Sequence, residues 1–282
     1  MAFYWNPRTI QIEPTRKCNL SCKICLRKGL EDLGSTLSLD QFKKILEFGN
    51  FTYAGLHGWG EPMLNPDLFK MIAYAEAKRI RTSLTTNGTL IGSRIDMILS
   101  SGLHEIAFGV FQKDLFHSVY SNIADLVRKR NEAGLKYPVI YLDITVHNEN
   151  VDQIPEFIKD AAKLKVDAII LHRLFHSHLT GSGLQYISEK SEKALLIKAL
   201  KQTKALKLKA YLPPKHSKPC QIVKRSLYVS AKGDVTPCCF LPTTIMGTAF
   251  AANKKSLLKS MQYKNFLKTM EKHSVCSQCV SW

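Results

Sequence analysis

The chain has 282 residues, 45% of them hydrophobic and 22% charged, a normal balance for a globular protein and enough for one large α/β unit with a small appendage. No run of about 18 apolar residues occurs, so no transmembrane helix is expected, and Met1-Ala2-Phe3-Tyr4-Trp5-Asn6 lacks the basic start and apolar core of a signal peptide, which points to the cytoplasm. The net charge of +17 comes mostly from lysines scattered as solvated helix faces; without an arginine-rich tract or aromatic-interleaved basic loop, a nucleic-acid partner is not expected, while an acidic substrate or peptide stays open.

Strand-like and helix-like stretches alternate through residue 208. Thr9 to Glu13 reads as a first strand. Ser38-x-x-Gln41 is a capping box, followed at helical spacing by Phe42, Ile45 and Leu46. Tyr53 to His57 is a second strand. Asn65-Pro66 reads as an N-cap with proline at the first helical position. Ile80 to Thr85 is a third strand, Leu90 to Ser101 a helix ended by Gly102, Glu105 to Val110 a fourth strand, and Leu115 to Ala133 a helix. Val139 to Val146 follows as strand, then a helix capped by Asp152, a sixth strand at Ala168 to Leu174, and a helix from Glu189 to Leu208. Six β-α repeats predict a parallel sheet with outer helices, curling as an open, partial (β/α)6 barrel. In such barrels the reacting groups gather at the C-terminal ends of the strands. After Tyr211, Pro213-Pro214, Lys215 and Pro219 read as a linker. Leu227 to Ser230 and Val235 to Pro237 flank a hairpin turn at Lys232-Gly233-Asp234, and a last helix runs from about Lys254 to Lys272. The expected division is 1–210 for the barrel and 211–282 for a small hairpin-plus-helix domain, which must be stapled or docked to be stable.

Eight cysteines point to metal or redox chemistry before disulfides. Cys18, Cys22 and Cys25 stand with three and then two residues between them, just after the first strand. Three thiolates on one tight loop can hold three irons of a cubane and leave the fourth open to a non-protein ligand. Zinc is the competing occupant, but it wants four ligands, and no histidine lies nearby.

Cys18-x3-Cys22-x2-Cys25 resembles the signature of the radical S-adenosylmethionine (SAM) enzymes. Gly58-Trp59-Gly60-Glu61-Pro62 is similar to that family's GGEP element, with Trp59 where the pattern usually has glycine. Thr85-Thr86-Asn87-Gly88 resembles its TTNG element. All three fall at strand ends, where a barrel places its chemistry. The resemblance implies a SAM-binding [4Fe-4S] cluster on the three cysteines and SAM chelated to its open iron. One electron then cleaves SAM to methionine and a 5′-deoxyadenosyl radical that removes a hydrogen from substrate. It further implies that Glu61, reached through the close-approaching Gly60, holds the SAM amino group, that Ile24 touches adenine, and that Thr86 and Asn87 bond the ribose or the SAM carboxylate. The fourth strand departs from the family: Ala107 and Phe108 offer no polar side chain for SAM. At the end of strand six, His172, Arg173, His176 and His178 cluster, and His172 and Arg173 are the candidates to face substrate or move a proton. Lys17 and Arg27 flank the cysteine loop and can soften its negative charge, although the favoured reading of both is as solvated surface residues.

The second set is Cys220, Cys238, Cys239, Cys276 and Cys279. By spacing alone it suits zinc or iron and sulfur. Cys220-x12-Gly233-x4-Cys238 with Cys276-x2-Cys279 is similar to the twitch form of the SPASM extension, which implies one auxiliary [4Fe-4S] cluster on Cys220, Cys238, Cys276 and Cys279. Cys239 is left out because successive strand residues face opposite ways. The expected function is thus a radical SAM enzyme acting on a small-molecule or peptide substrate, with an auxiliary cluster handling an electron. The implied partner is an electron donor such as flavodoxin or ferredoxin. Strand one begins so near Met1 that no leader-peptide module is expected before it. The competing class is a zinc- or cluster-bearing nucleic-acid-binding protein without catalysis. It accounts for the basic charge but not for the glycine turn or the TTNG element.

Overall fold

A computed structural model describes residues 8–174, 183–213, 220–251 and 253–279. His176 and His178 of the expected rim cluster, and Pro214, Lys215 and Pro219 of the expected linker, lie outside the described residues. Seven parallel strands run in sequence order: β1 (Thr9–Ile12), β2 (Tyr53–Leu56), β3 (Arg81–Thr86), β4 (Glu105–Val110), β5 (Val139–Val146), β6 (Ala168–Arg173) and β7 (Lys209–Tyr211). The expected (β/α)6 unit is present and extended by β7, which pairs with β6 from Ala168↔Lys209 to Ile170↔Tyr211. The residues around 210, expected to lead into a linker, form this strand.

Side-chain alternation fixes which face points where. In β5, Ile140, Leu142, Ile144 and Val146 are buried under the outer helices, whereas Tyr141, Asp143 and Thr145 point to the other side and are half-exposed. The outer helices are α1 (Leu39–Glu47), α2 (Leu68–Ala77), α3 (Ile95–Ser100), α4 (Lys113–Glu132), α5 (Ile154–Leu164) and α6 (Glu189–Ala205). The capping box forms as expected: Gln41 N–H donates to Ser38 Oγ at 3.2 Å, and Ser38 N–H to Gln41 Oε1 at 2.9 Å. Asn65, the expected cap, does not stand immediately before the helix, but its Oδ1 accepts from Asp67 N–H at 2.8 Å in the turn that leads into it. Its buried amide donates to Pro14 O and Leu37 O at 2.8 and 2.9 Å, and α2 begins three residues later. Asn65 thus fastens the second βα connection to the base of the cysteine loop.

The C-terminal residues do not form a separate layer. A short helix α7 (Gln221–Arg225) leads into β8 (Ser226–Val229), which pairs parallel with β1 in the register Thr9↔Ser226. The expected hairpin continues the sheet outward through β9 (Asp234–Thr236) and β10 (Gly247–Thr248), giving ten strands in the order β10-β9-β8-β1-β2-β3-β4-β5-β6-β7. The last helix is broken at Ser260 into α8 (Lys254–Lys259) and α9 (Met261–Thr269). Ser260 is extended, and its hydroxyl caps the second piece by accepting from Tyr263 N at 3.1 Å. Leu227, Val229, Val235, Leu257, Tyr263 and Phe266 belong to the same apolar core as the barrel residues. Docking through a shared core therefore meets the stability requirement of this short segment.

One buried carboxylate joins these parts. Glu13, just past the end of β1, is fully buried. Its Oε2 accepts from Arg16 Nε at 3.0 Å and from Ala231 N–H at 3.1 Å, in the turn between β8 and β9. Its Oε1 accepts from Trp59 N–H at 2.9 Å, in the glycine turn after β2. Gly58 must be glycine here, since a Cβ would lie 2.6 Å from the Glu13 side chain. Glu13→Ala would leave the 6%-exposed Arg16 and two amides without their acceptor. Loss of one partner of a buried pair costs about 3–5 kcal/mol, so anaerobic urea unfolding should show a loss of that size, with Glu13→Gln, which keeps an acceptor, losing less.

Candidate active site

The loop bearing Cys18, Cys22 and Cys25 follows β1 at the C-terminal end of the parallel strands, and all three thiols are half-buried and unbridged. Burial, and then the nearness of Cys25 and Cys18, push the Cys22 thiol up to about 12. Burial also raises Cys25, against the opposing pull of Arg27 and Lys28. Arg27 is fixed beside the loop by donating from Nε to the Arg16 carbonyl, whereas Lys17 is exposed. Thiols that repel one another's thiolates in this way gain most when a cation replaces their protons.

Two strand ends are clamped onto this loop. Gly60 lies so close to its stem that a Cβ would stand 2.1 Å from Thr15 O and 2.7 Å from Lys17 O, and Glu61 N–H donates to Lys17 O at 2.8 Å. The Glu61 carboxylate is 2% exposed. It accepts from Thr86 Oγ1 at 2.8 Å, Met63 N–H at 3.1 Å and Asn87 N–H at 2.8 Å. Burial raises its pKa, and these three donors oppose the rise. Three of about four acceptor positions are thereby used by the protein, so Glu61 fastens the ends of β2 and β3 together. The Thr86 hydroxyl is buried and doubly used, donating to Glu61 and accepting from Gly88 N–H at 3.1 Å, which leaves it poorly placed for the ribose contact expected of it. Asn87 does reach the loop: its Nδ2 donates to Asn19 Oδ1 at 3.0 Å, and Asn19 Nδ2 donates to Thr89 Oγ1 at 2.8 Å. Asn19 and Thr89 were not legible as site residues, because their contact spans 70 residues of sequence. Ile24 is half-buried on the loop and stands outside the apolar core.

The inward strand faces enclose a cavity of about 420 Å³, lined among others by Tyr53, His57, Glu105, Tyr141, Asp143 and His172. Ala107, which lacks a polar group, also lines it. His172 Nδ1 is 2.7 Å from Asp143 Oδ1, a close ion contact without hydrogen-bond alignment, and Asp143 raises the His172 pKa. His57 differs: burial lowers it to about 4, and among the described residues its Nδ1 has no hydrogen-bond partner. Arg173, expected beside His172 at the substrate, is corrected. As the next strand residue it faces outward, where Nε pairs with Glu192 Oε1 at 2.7 Å on α6; Tyr186 OH donates to the same oxygen at 2.7 Å. The cavity lining does not include Arg173.

The second cysteine set also gathers. Cys276 is pushed up to about 12 by burial and then by Cys238, Cys279 and Cys220, the three thiols expected to share a group with it. Cys239 is absent from that set, but not for the strand-alternation reason. Both Cys238 and Cys239 lie in the turn after β9, and the main influence raising Cys238 is a hydrogen bond with Cys239. Among the described residues no three cysteine sulfurs lie within 4.8 Å of one another.

A parallel α/β sheet with a three-thiol loop clamped by two further strand ends defines the class: an enzyme that works through a cysteine-held cofactor at the strand termini. Residues 12–161 match the Radical SAM superfamily, and the chain belongs to it. Residues 220–280 match the SPASM iron-sulfur cluster-binding domain. The family brings a [4Fe-4S] cluster and SAM, and the SPASM match an auxiliary iron-sulfur cluster. Among curated proteins, the chain is 27% identical over 181 residues to the tungsten-containing aldehyde ferredoxin oxidoreductase cofactor-modifying protein of Pyrococcus furiosus, covering 58% of this chain and 51% of that one. It is 31% identical over 174 residues to pre-heme d1 synthase of Dinoroseobacter shibae, covering 58% and 42%. The chain thus spans about half the length of these relatives. The fold matches the crystal structure of Streptococcus suis SuiB bound to precursor peptide SuiA with a TM-score of 0.78 at 17% identity, over 98% of this chain and 70% of that one. Among the described residues no helix is long and apolar enough to cross a membrane.

The two cavity histidines set opposite pH limbs. His57, lowered from 6.5 to about 4, contributes stability that is complete above 6.5 and lost as pH falls toward 4. His172, raised above 6.5, contributes stability that is complete below 6.5 and lost as pH climbs through its folded value. The two histidine contributions together are therefore greatest near pH 6.5. The His57 part of the acid limb is worth up to about 3 kcal/mol, and His57→Gln should flatten it in urea titrations at stepped pH.

Proposed function

We propose that this chain is a radical SAM enzyme that abstracts a hydrogen from a small molecule, or from one side chain of a peptide, seated in the strand-lined cavity. Cys18, Cys22 and Cys25 hold the SAM-binding cluster, and Cys220, Cys238, Cys276 and Cys279 hold the auxiliary one. When bound, the first cluster and SAM together supply a 5′-deoxyadenosyl radical. The observation that carries this reading is the convergence of loop, glycine turn and TTNG end through Glu61 and the Asn19–Asn87 contact.

The residues of the chain have distinct tasks. Gly60 brings main chain against the loop, and Glu61 holds that arrangement with its remaining acceptor direction available to the SAM amino group. Asn87 positions the loop; Ile24 supplies an apolar surface for adenine. His172, held by Asp143, faces the cavity as the group that binds substrate or exchanges a proton with it. A cavity of about 420 Å³ is in the range of small-ligand sites, which supports a compact substrate or a single inserted side chain. The cofactor-modifying relative favours the first, and SuiB, solved with a precursor peptide, the second. A low-potential donor such as flavodoxin or ferredoxin supplies the electron. Eight unbridged cysteines suit the reducing cytoplasm.

Incubation with SAM and dithionite under anaerobic conditions tests this. Wild type should release 5′-deoxyadenosine, and Ala at any one of Cys18, Cys22 or Cys25 should abolish it. Cleavage at the wild-type rate in Cys22→Ala refutes the assignment. A variant with all three changed to Ala should keep about four irons in one cubane, and adding Cys239→Ala should leave that number unchanged. Zinc in place of iron, or loss of the iron with Cys239→Ala, would contradict the auxiliary ligand set. Glu61→Ala should weaken SAM binding roughly tenfold, the scale of one lost buried interaction, with iron content retained.

A further inference from the structure

Trp59 has its main chain in one cysteine site and its side chain in the other. Its N–H is held by Glu13 Oε1 at 2.9 Å, and its carbonyl stands 3.7 Å from the Cys25 sulfur. Its indole Nε1–H donates to Cys239 O at 3.1 Å, and its ring meets Phe240 edge-on with centroids 5.9 Å apart. Cys239 and Phe240 directly follow Cys238 in the turn after β9. The turn that Glu61 N–H ties to Lys17 O of the cysteine loop is therefore joined, through the Trp59 indole, to the peptide next to Cys238. Glycine at this position, as in the GGEP pattern, would keep the main-chain half of the link and lack the indole half.

We propose that Trp59 is a positioning residue that couples the two cysteine sites: it locks the turn at Gly58 to Pro62 to the turn at Cys238 to Phe240, so that occupancy of one site changes affinity and order at the other. This rests on the reading of the two cysteine sets given above. The link works because both ends are otherwise constrained. Glu13 and Lys17 fix the first turn through Trp59 N–H and Glu61 N–H, and Thr236 Oγ1 donates to Cys238 O at 3.0 Å to fix the second. An indole hydrogen bond between two held turns transmits a shift that a free surface contact would absorb. Coupling between binding sites is reciprocal and commonly fivefold or more, so an auxiliary site left unfilled should weaken SAM at the first site by about that factor.

The test is a double-mutant cycle on full-length protein, reconstituted anaerobically, with SAM affinity measured by equilibrium dialysis. Combined Cys276→Ala and Cys279→Ala substitutions should weaken SAM about fivefold when Trp59 is present. They should have no effect when Trp59 is changed to Phe, which keeps a ring but lacks the N–H. Trp59→Gly should behave as Trp59→Phe does. An equal effect of auxiliary loss in all three backgrounds overturns the proposal. A second measurement needs no substitution: SAM added to wild type should slow hydrogen exchange of amides in the segment from Cys238 to Leu241. SAM that binds normally yet leaves that exchange unchanged refutes the coupling alone. Failure of reconstituted wild type to bind SAM refutes the enzyme reading, and the coupling with it.

Discussion

The arrangement of the whole C-terminal rim depends on one buried carboxylate. Glu13 receives donors from the cysteine-loop stem, the glycine turn and the β8–β9 turn at once, and Arg16 balances its charge. A buried ion pair is not by itself a large source of stability, because desolvation offsets most of the attraction. What it provides here is direction. A lone carboxylate in an apolar surrounding must find donors, and only one mutual placement of the three segments supplies them. The rest of the site is built outward from that placement: Gly58 yields space to Glu13, Gly60 packs on Thr15 and Lys17, and Glu61 then gathers Thr86 and Asn87.

The sheet's two faces divide the labour. Outer positions such as Ile140, Leu142 and Ile144 pack under helices and hold the barrel shape, while inner positions carry phenols, imidazoles and carboxylates around the cavity. A parallel sheet usually buries both faces in apolar contacts; this one gives up inner packing to keep a polar chamber beneath the strand ends. Burial lowers the basicity of His57, whereas the neighbouring Asp143 raises that of His172.

The C-terminal segment shows why a short cysteine-rich piece need not be an independent domain. Its β8 pairs with β1, its helices share the barrel's core, and Lys254 N–H donates to Phe48 O at 2.9 Å. The division expected near residue 210 falls inside β7, whose pairing with β6 from Lys209 to Tyr211 is a long-range contact.

Much of this was written in local sequence. Alternation in Val139–Val146 set a strand with distinct faces, the Ser38–Gln41 capping box set a helix start, and the cysteine spacing set three thiols on one loop, because each depends on residues a few positions apart. The positions of Gly60, Glu61 and Asn87 at strand ends followed from the same local periodicity. What sequence could not decide depended on distant partners. His172 and Arg173 are adjacent and both polar, yet only the sheet's orientation turns one to the cavity and the other to Glu192. Asn65 has the chemistry of a helix cap and its Oδ1 does accept from Asp67 N–H, but only folding brings Pro14 O and Leu37 O to its NH2 group. Trp59 looked like a departure from a glycine pattern, and only folding brought Cys239 within reach of its indole across 180 residues of chain. A hydrogen bond is worth about 1 kcal/mol wherever its partner lies, so sequence proximity reveals the local ones, and the long-range ones exist only once the sheet has set its register.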